Sequence, residues 1–169
     1  MKDVLLRQGR MAGRLLDYHL TGLTAEECLW RPAAKGLHIH QNGTGVWKPD
    51  WPDRETYDLG PPNIGWITWH ALFWTGMAHD QAFGNATLTQ DDIRWTPDTG
   101  KLASDLRANI GSWFSALEAE PEEAWQETDR VRWPIKDGTL ADLAAWWNLE
   151  LMKTAAEIGQ LRFLFAVRS

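Results

Sequence analysis

The sequence predicts an all-α protein, a four-helix bundle with long crossover-type connections, folded as a single domain over residues 1–169. Apolar residues recur at helical spacing in four long segments, and no segment alternates apolar and polar residues as a half-buried strand does. Two long connections separate these segments. Amphipathic helices bury their apolar faces most simply against one another, which favours the bundle.

The first predicted helix runs from about Asp3 to Gly22, and a short helix follows it. The apolar positions of the first helix are Leu5, Ala12, Leu15, Leu16 and His19. Thr24-Ala-Glu-Glu27 has the pattern of a capping box, so the short helix is expected to begin there and to end near Trp30.

The connection from Pro32 to Pro62 is rich in proline, glycine, aspartate and tryptophan. Structureless loops of this length are uncommon in compact domains, so we expect it to be packed down or functional. It contains His38 and His40, whose rings would lie on one side of a strand. A tetrahedral metal site needs further ligands besides two histidines, so we interpret His38 and His40 as residues that pack in the loop or lie on the surface.

The second long helix is expected from Asn63, a good N-cap, to about Gly84. One face carries Ile64, Ile67, His70, Ala71, Trp74 and Ala78, whereas His79 points away from His70. The third helix is expected to begin after the capping residues of Trp95–Thr99 and to end before Pro121. Its stripe consists of Leu102, Leu106, Ile110, Trp113 and Leu117.

The last helix, Leu140–Phe165, is predicted to open with a capping box formed by Thr139 and Asp142. It follows a second connection that contains the turn signal Asp137-Gly138. Its stripe consists of Leu143, Trp147, Leu151, Thr154, Ile158, Leu161 and Phe165. Three charged residues accompany this stripe: Glu150, Lys153 and Glu157.

Composition excludes several classes of function. The net charge of −6 and the lack of a Lys/Arg cluster argue against a nucleic-acid partner. No apolar leader and no run of about 18 apolar residues are present, so we expect no membrane partner and a cytoplasmic location.

The single cysteine, Cys28, cannot form an internal disulfide, and two preceding glutamates disfavour a reactive thiolate. The twelve tryptophans are expected in the core or around a cavity.

His70, Glu150 and Glu157 are the candidate site residues. His70 is either a core histidine satisfied by one hydrogen bond or a group of a functional site. Glu150 and Glu157 are seven residues apart and share a helix face, which is either a solvated rim or a polar site in the bundle. His19 and Trp74 are expected to line such a site. No nucleophile elbow, phosphate-binding loop or zinc-protease motif is present.

Three segments resemble the DinB/YfiT-like superfamily. They are N-I-G-W-I-T-W-H-A from Asn63, E-L-M-K-T-A-A-E-I-G-Q-L from Glu150 and G-x-G-V-W-K-P-D-W-P from Gly43, and the resemblance spans about Thr21 to Leu164. It implies a four-helix bundle, a homodimer, and a divalent metal such as zinc or nickel held by three histidines, some of which are glutamate in certain members. Thiol-dependent transferases and an isomerase occur among the relatives.

By this resemblance the metal ligands fall on His70, Lys153 and Glu157. Glutamate can ligate a metal, but a protonated lysine cannot. Either a metal is kept by recruiting Glu150 or His19, or it is lost and Lys153 replaces its charge by pairing with Glu157 and hydrogen-bonding His70. We favour the second outcome, since an ammonium group repels a cation.

Three functions therefore remain open. The first is a divalent-metal-dependent thiol transferase or hydrolase with a degenerate metal site, in which His70 and Glu157 act as ligands or bases and Lys153, Glu150, His19 and Trp74 support them. The second is a metal-free bundle that binds a small molecule, for example in a stress response. The third is a structural dimer without a ligand. The first two hypotheses imply a small-molecule partner.

Overall fold

The computed structural model describes residues 1–54 and 56–168 and confirms the all-α fold. Its five α-helices are α1 (Lys2–Leu20), α2 (Ala25–Leu29), α3 (Ile64–Phe83), α4 (Thr99–Ala119) and α5 (Leu140–Ala166). Short 3-10 turns at Tyr57–Leu59, Gln90–Asp92 and Glu122–Gln126 interrupt the connections. Among these helices, none is both long and apolar enough to cross a lipid bilayer.

Capping side chains set the starts of the helices as the sequence predicted. The Asn63 side-chain oxygen accepts the backbone N–H of Trp66 at 2.8 Å and caps α3. The Thr24–Glu27 and Thr139–Asp142 capping boxes both form, at the starts of α2 and α5. Asp98 caps α4.

Contacts between the four long helices define an up-down-down-up bundle. Helix α1 is parallel to α5, since the Leu5 carbonyl accepts from Asn148 near one end and the His19 carbonyl accepts from Arg162 near the other. Helix α4 runs antiparallel to α1, because Lys2 reaches the Glu118 carbonyl whereas Asp17 pairs with Arg107. Helix α4 is parallel to α3, because Asn109 contacts the Leu72 carbonyl and Trp113 contacts Phe83. This order requires one crossover connection, residues 84–98 between α3 and α4. The two longest connections join antiparallel helices and are not crossovers, unlike what the sequence predicted.

A small hairpin in the first connection was not predicted. Strands β1 (Ile39–Gln41) and β2 (Trp47–Pro49) pair antiparallel with His40 opposite Lys48. Three-residue strands are too short to show a two-residue hydrophobic period, so the prediction of no strand was wrong here. The turn is fixed by the Asn42 side-chain oxygen, which accepts the backbone N–H groups of Thr44 and Val46.

The bundle core is largely aromatic. Trp147 is fully buried and contacts the rings of Trp74, Trp113 and Phe114. Tryptophans from three long helices therefore meet at one point of the core, which accounts for much of the unusual tryptophan content.

Candidate functional site

The antiparallel packing of α3 and α5 brings His70, Lys153 and Glu157 to one cavity of about 580 Å³. Lys153 and Glu157 are one helical turn apart on α5, so both face the same side. The opposite wall is formed by the connection that precedes α3, through Leu37, Thr56, Tyr57, Leu59, Gly60 and Pro62, and Trp66 completes it.

His70 is held among aromatic rings. Its imidazole stacks on Trp66 with ring centroids 4.8 Å apart and an interplanar angle of 24°, and Trp51 lies 6.1 Å away. Burial and, to a smaller extent, the positive charge of Lys153 together lower the pKa of His70 to about 4. His70 is therefore neutral at physiological pH and offers one nitrogen as donor and one as acceptor.

The depressed pKa of His70 makes folding stability depend on pH. The unfolded chain protonates this histidine near pH 6.5 but the folded chain only near pH 4, so its contribution is present above pH 6.5 and is lost as the pH falls through this window. Between pH 7 and pH 4.5 we expect the free energy of unfolding of the wild type to fall by about 2.4 kcal/mol more than that of His70→Gln. Urea unfolding at both pH values measures this difference. Equal losses in the two proteins would contradict it.

Lys153 forms an ion pair with Glu150. Its ammonium nitrogen lies 2.7 Å from a carboxylate oxygen of Glu150, three residues before it. Side chains three and four positions away on a helix are both within reach, so the sequence alone does not decide between them. Lys153 is half exposed, and such a pair contributes only a few tenths of a kcal/mol.

Residues that the sequence analysis missed hold the connection before α3 against that helix. The Asp50 carbonyl accepts a hydrogen bond from the Trp66 indole nitrogen at 2.7 Å. The carboxylate of Asp50 accepts the backbone N–H of His38 at 2.8 Å and lies 3.5 Å from the His40 imidazole. Trp51 then contacts the aromatic face of α3. The cluster Trp47-Lys-Pro-Asp-Trp51 was the available signal for this packing of the connection on α3.

Two residues expected to line the site lie elsewhere in the structure. Trp74 is buried in the aromatic core against Trp146 and Trp147. His19 packs closely on Gly159, in a separate groove beside Arg162. Burial lowers the pKa of His19, and the charge of Arg162 adds to this effect.

Cys28 is fully buried, and its surroundings disfavour the thiolate. Burial raises the pKa of the thiol to about 12, and the neighbouring Glu27 carboxylate contributes to this increase. The thiol is therefore unsuited to nucleophilic chemistry, in agreement with the sequence analysis.

The cavity does not fit the metal that the resemblance implies. Within residues 1–54 and 56–168, no three histidine, cysteine, aspartate or glutamate side chains are grouped closely enough to hold a metal ion. Glu150, a possible replacement ligand, is instead paired with Lys153. His19, the other one, lies in the separate groove.

A comparison with known families finds a match. The family model described as DinB superfamily matches residues 8–158, which is most of the chain. No curated protein and no solved structure matches the chain.

Proposed function

This chain belongs to the DinB superfamily, and from this premise we propose that it is a metal-free member that binds a small organic molecule between α3, α5 and the preceding connection. One observation carries the proposal. Lys153 shares the cavity with His70 and Glu157, at the position where the resemblance implies a third metal ligand. An ammonium group has no lone pair for a metal, and its charge repels a cation.

The cavity has the dimensions and chemistry of a ligand site. Its volume of about 580 Å³ lies within the range of about 300–1,000 Å³ that is typical of small-molecule pockets. Leu37, Leu59 and Trp66 supply apolar contact area, whereas neutral His70 and charged Lys153 supply hydrogen bonds. A planar apolar molecule with one anionic group would use both kinds of contact.

A divalent-metal-dependent thiol transferase or hydrolase is the alternative. It is favoured by the presence of His70 and Glu157, the two ligand-competent residues of the implied set, in the same cavity. A metal bound there would lower the pKa of a coordinated water or thiol.

Metal content separates the two functions. We expect untagged native protein to contain well under one equivalent of zinc or nickel by elemental analysis, and His70→Ala and Glu157→Ala to contain no less. About one metal per chain in the native protein, lost in both variants, would overturn the metal-free proposal in favour of the enzyme.

Ligand binding is tested with the fluorescent probe 1-anilinonaphthalene-8-sulfonate, which has an apolar ring system and one anionic group. We expect Lys153→Gln to weaken binding of the probe by about tenfold, because the ammonium–sulfonate contact is lost. Lys101→Gln is the matched control, since Lys101 is an exposed lysine on α4 that pairs with Asp105. Equal affinities of both variants for the probe would contradict a role for Lys153 in binding.

A further inference from the structure

Within the described part of the chain, three hydrogen bonds hold the cavity wall at Leu37 and His38. The Asn63 N–H group at the start of α3 donates to the Leu37 carbonyl at 2.9 Å. The Asp50 N–H group donates to the His38 carbonyl at 2.8 Å, and the His38 N–H group donates to the Asp50 carboxylate at 2.8 Å. We call these three bonds the His38 latch. Since Leu37 lines the cavity, the latch fixes this part of the ligand site.

The imidazole of His38 is buried at the latch, where only 5% of the residue is exposed. Its Nε2 atom has no hydrogen-bond partner among residues 1–54 and 56–168. Backbone atoms pack beside it, since a Cβ atom added at Gly36 would lie 3.1 Å from Nε2 and 2.2 Å from the Pro61 carbonyl oxygen. An N–H group at Nε2 would therefore be buried without an acceptor in bonding geometry, which disfavours the doubly protonated ring.

The charged and titratable groups that face His38 do not offset its burial. They are Arg31, which follows α2, Asp50, which follows β2, and His40 of β1. Nδ1 of His38 lies 3.9 Å from the Asp50 carboxylate, too far for a hydrogen bond, and the same carboxylate lies 3.5 Å from the His40 imidazole. Burial lowers the pKa of His38 below its usual value, and the charge of Arg31 adds to this effect. Asp50 opposes the decrease and His40 adds to it more weakly, so His38 is neutral at physiological pH.

Protonation of His38 and opening of the latch are therefore linked. The buried ring reaches water only if the chain moves at residue 38, and that residue makes two of the three latch bonds. A conformation that exposes the ring binds a proton more readily, so acid favours it. We propose that acidification opens the His38 latch and draws Leu37 away from the cavity, so that pH regulates the ligand site. The regulation rests on the proposed function, whereas the opening of the latch does not.

Opening of the latch does not require the bundle to unfold. The strands that would move, β1 and β2, are three residues long each. The Asn63 side chain caps α3 through the Trp66 N–H group, and this bond is not part of the latch. Small segments of this kind open at a lower free-energy cost than the whole protein.

Hydrogen exchange measured by NMR, and corrected for the intrinsic exchange rate at each pH, tests the opening. The amides of His38, Asp50 and Asn63 report the latch. Between pH 7 and pH 5 we expect their protection to fall about tenfold more in the wild type than in His38→Gln. His70 is present in both proteins, so its protonation does not contribute to this difference. His40→Gln is the matched control, since His40 lies beside the same carboxylate but is half exposed, and we expect it to respond like the wild type.

Equal pH dependence in the wild type and His38→Gln would overturn the proposal, as would a loss of the response in His40→Gln alone. The wild type provides a test that needs no variant. Local opening exposes little surface, so exchange of the latch amides at pH 5 should not change in low, non-denaturing concentrations of urea. Exchange that rises steeply with urea would mean that these amides open only when the whole protein unfolds, which contradicts the latch.

The effect on the ligand site is measured separately with 1-anilinonaphthalene-8-sulfonate, whose sulfonate stays ionised at pH 5. We expect its dissociation rate, followed by stopped-flow fluorescence, to rise between pH 7 and pH 5 by about fivefold more in the wild type than in His38→Gln. A rate that responds to pH equally in both proteins would overturn the regulation. A probe that binds at neither pH would instead contradict the proposed ligand site, while hydrogen exchange still decides whether the latch opens.

Discussion

Replacing Lys153 by histidine is expected to convert the cavity into a zinc site. The variant Lys153→His would place a neutral imidazole between His70 and Glu157 and would remove the charge that repels a cation. Two histidines, one glutamate and a water are a common ligand set for zinc. We expect zinc affinity about 1000-fold higher than in the wild type, equivalent to about 4 kcal/mol, by competition with a chromogenic chelator.

The variant Lys153→Gln separates the two causes of this gain. It removes the positive charge of Lys153 without adding an imidazole, so we expect it to recover only a small part of the zinc affinity. Lys153→His combined with Glu157→Ala should return to weak binding. If Lys153→His binds zinc no more tightly than Lys153→Gln, then His70 and Glu157 are not placed to complete a metal site.

The largest loss of stability is expected for Trp147→Ala. This side chain is fully buried, stacks on Trp113 with centroids 5.4 Å apart and meets Trp74 edge-on at 5.5 Å. Its removal leaves a large cavity between three helices, and we expect the free energy of unfolding to fall by about 4 kcal/mol. Urea denaturation followed by circular dichroism measures the change.

An exposed leucine of the same helix provides the comparison. Leu164→Ala removes apolar atoms from a side chain that is 42% exposed, so its cost should stay within about 1 kcal/mol. A cost for Trp147→Ala below about 2 kcal/mol would mean that the neighbouring rings collapse into the space.

The helices could be predicted from the sequence because their signals are local. Asn63 and Thr139 cap α3 and α5 by contacts within three residues. The sequence predicted that only one face of α3 is buried, whereas every residue from Ile64 to Trp69 is buried in the structure. The first connection covers that helix on the side that the other helices leave open. A loop that folds over a helix leaves no periodic pattern of apolar residues in the sequence, so this burial could not be predicted.

The site could be predicted in part for the same reason. Spacing placed Lys153 and Glu157 on one face, and the resemblance placed His70 opposite them, in the cavity that all three line. The ion pair between Lys153 and Glu150 was not predicted, because residues three and four positions away on a helix both lie within reach of a lysine. Tyr57 and Leu59 were missed since their position depends on the path of an irregular connection.

The parallel pairing of α1 with α5 has a consequence for how the chain folds during synthesis. The main neighbour of α1 is α5, the last of the five helices, and the contact between Leu5 and Asn148 joins residues 143 positions apart. Until α5 emerges from the ribosome, α1 lacks the helix against which most of its buried face packs. A helical protein normally folds through local contacts, whereas this bundle can close only after α5 has been translated.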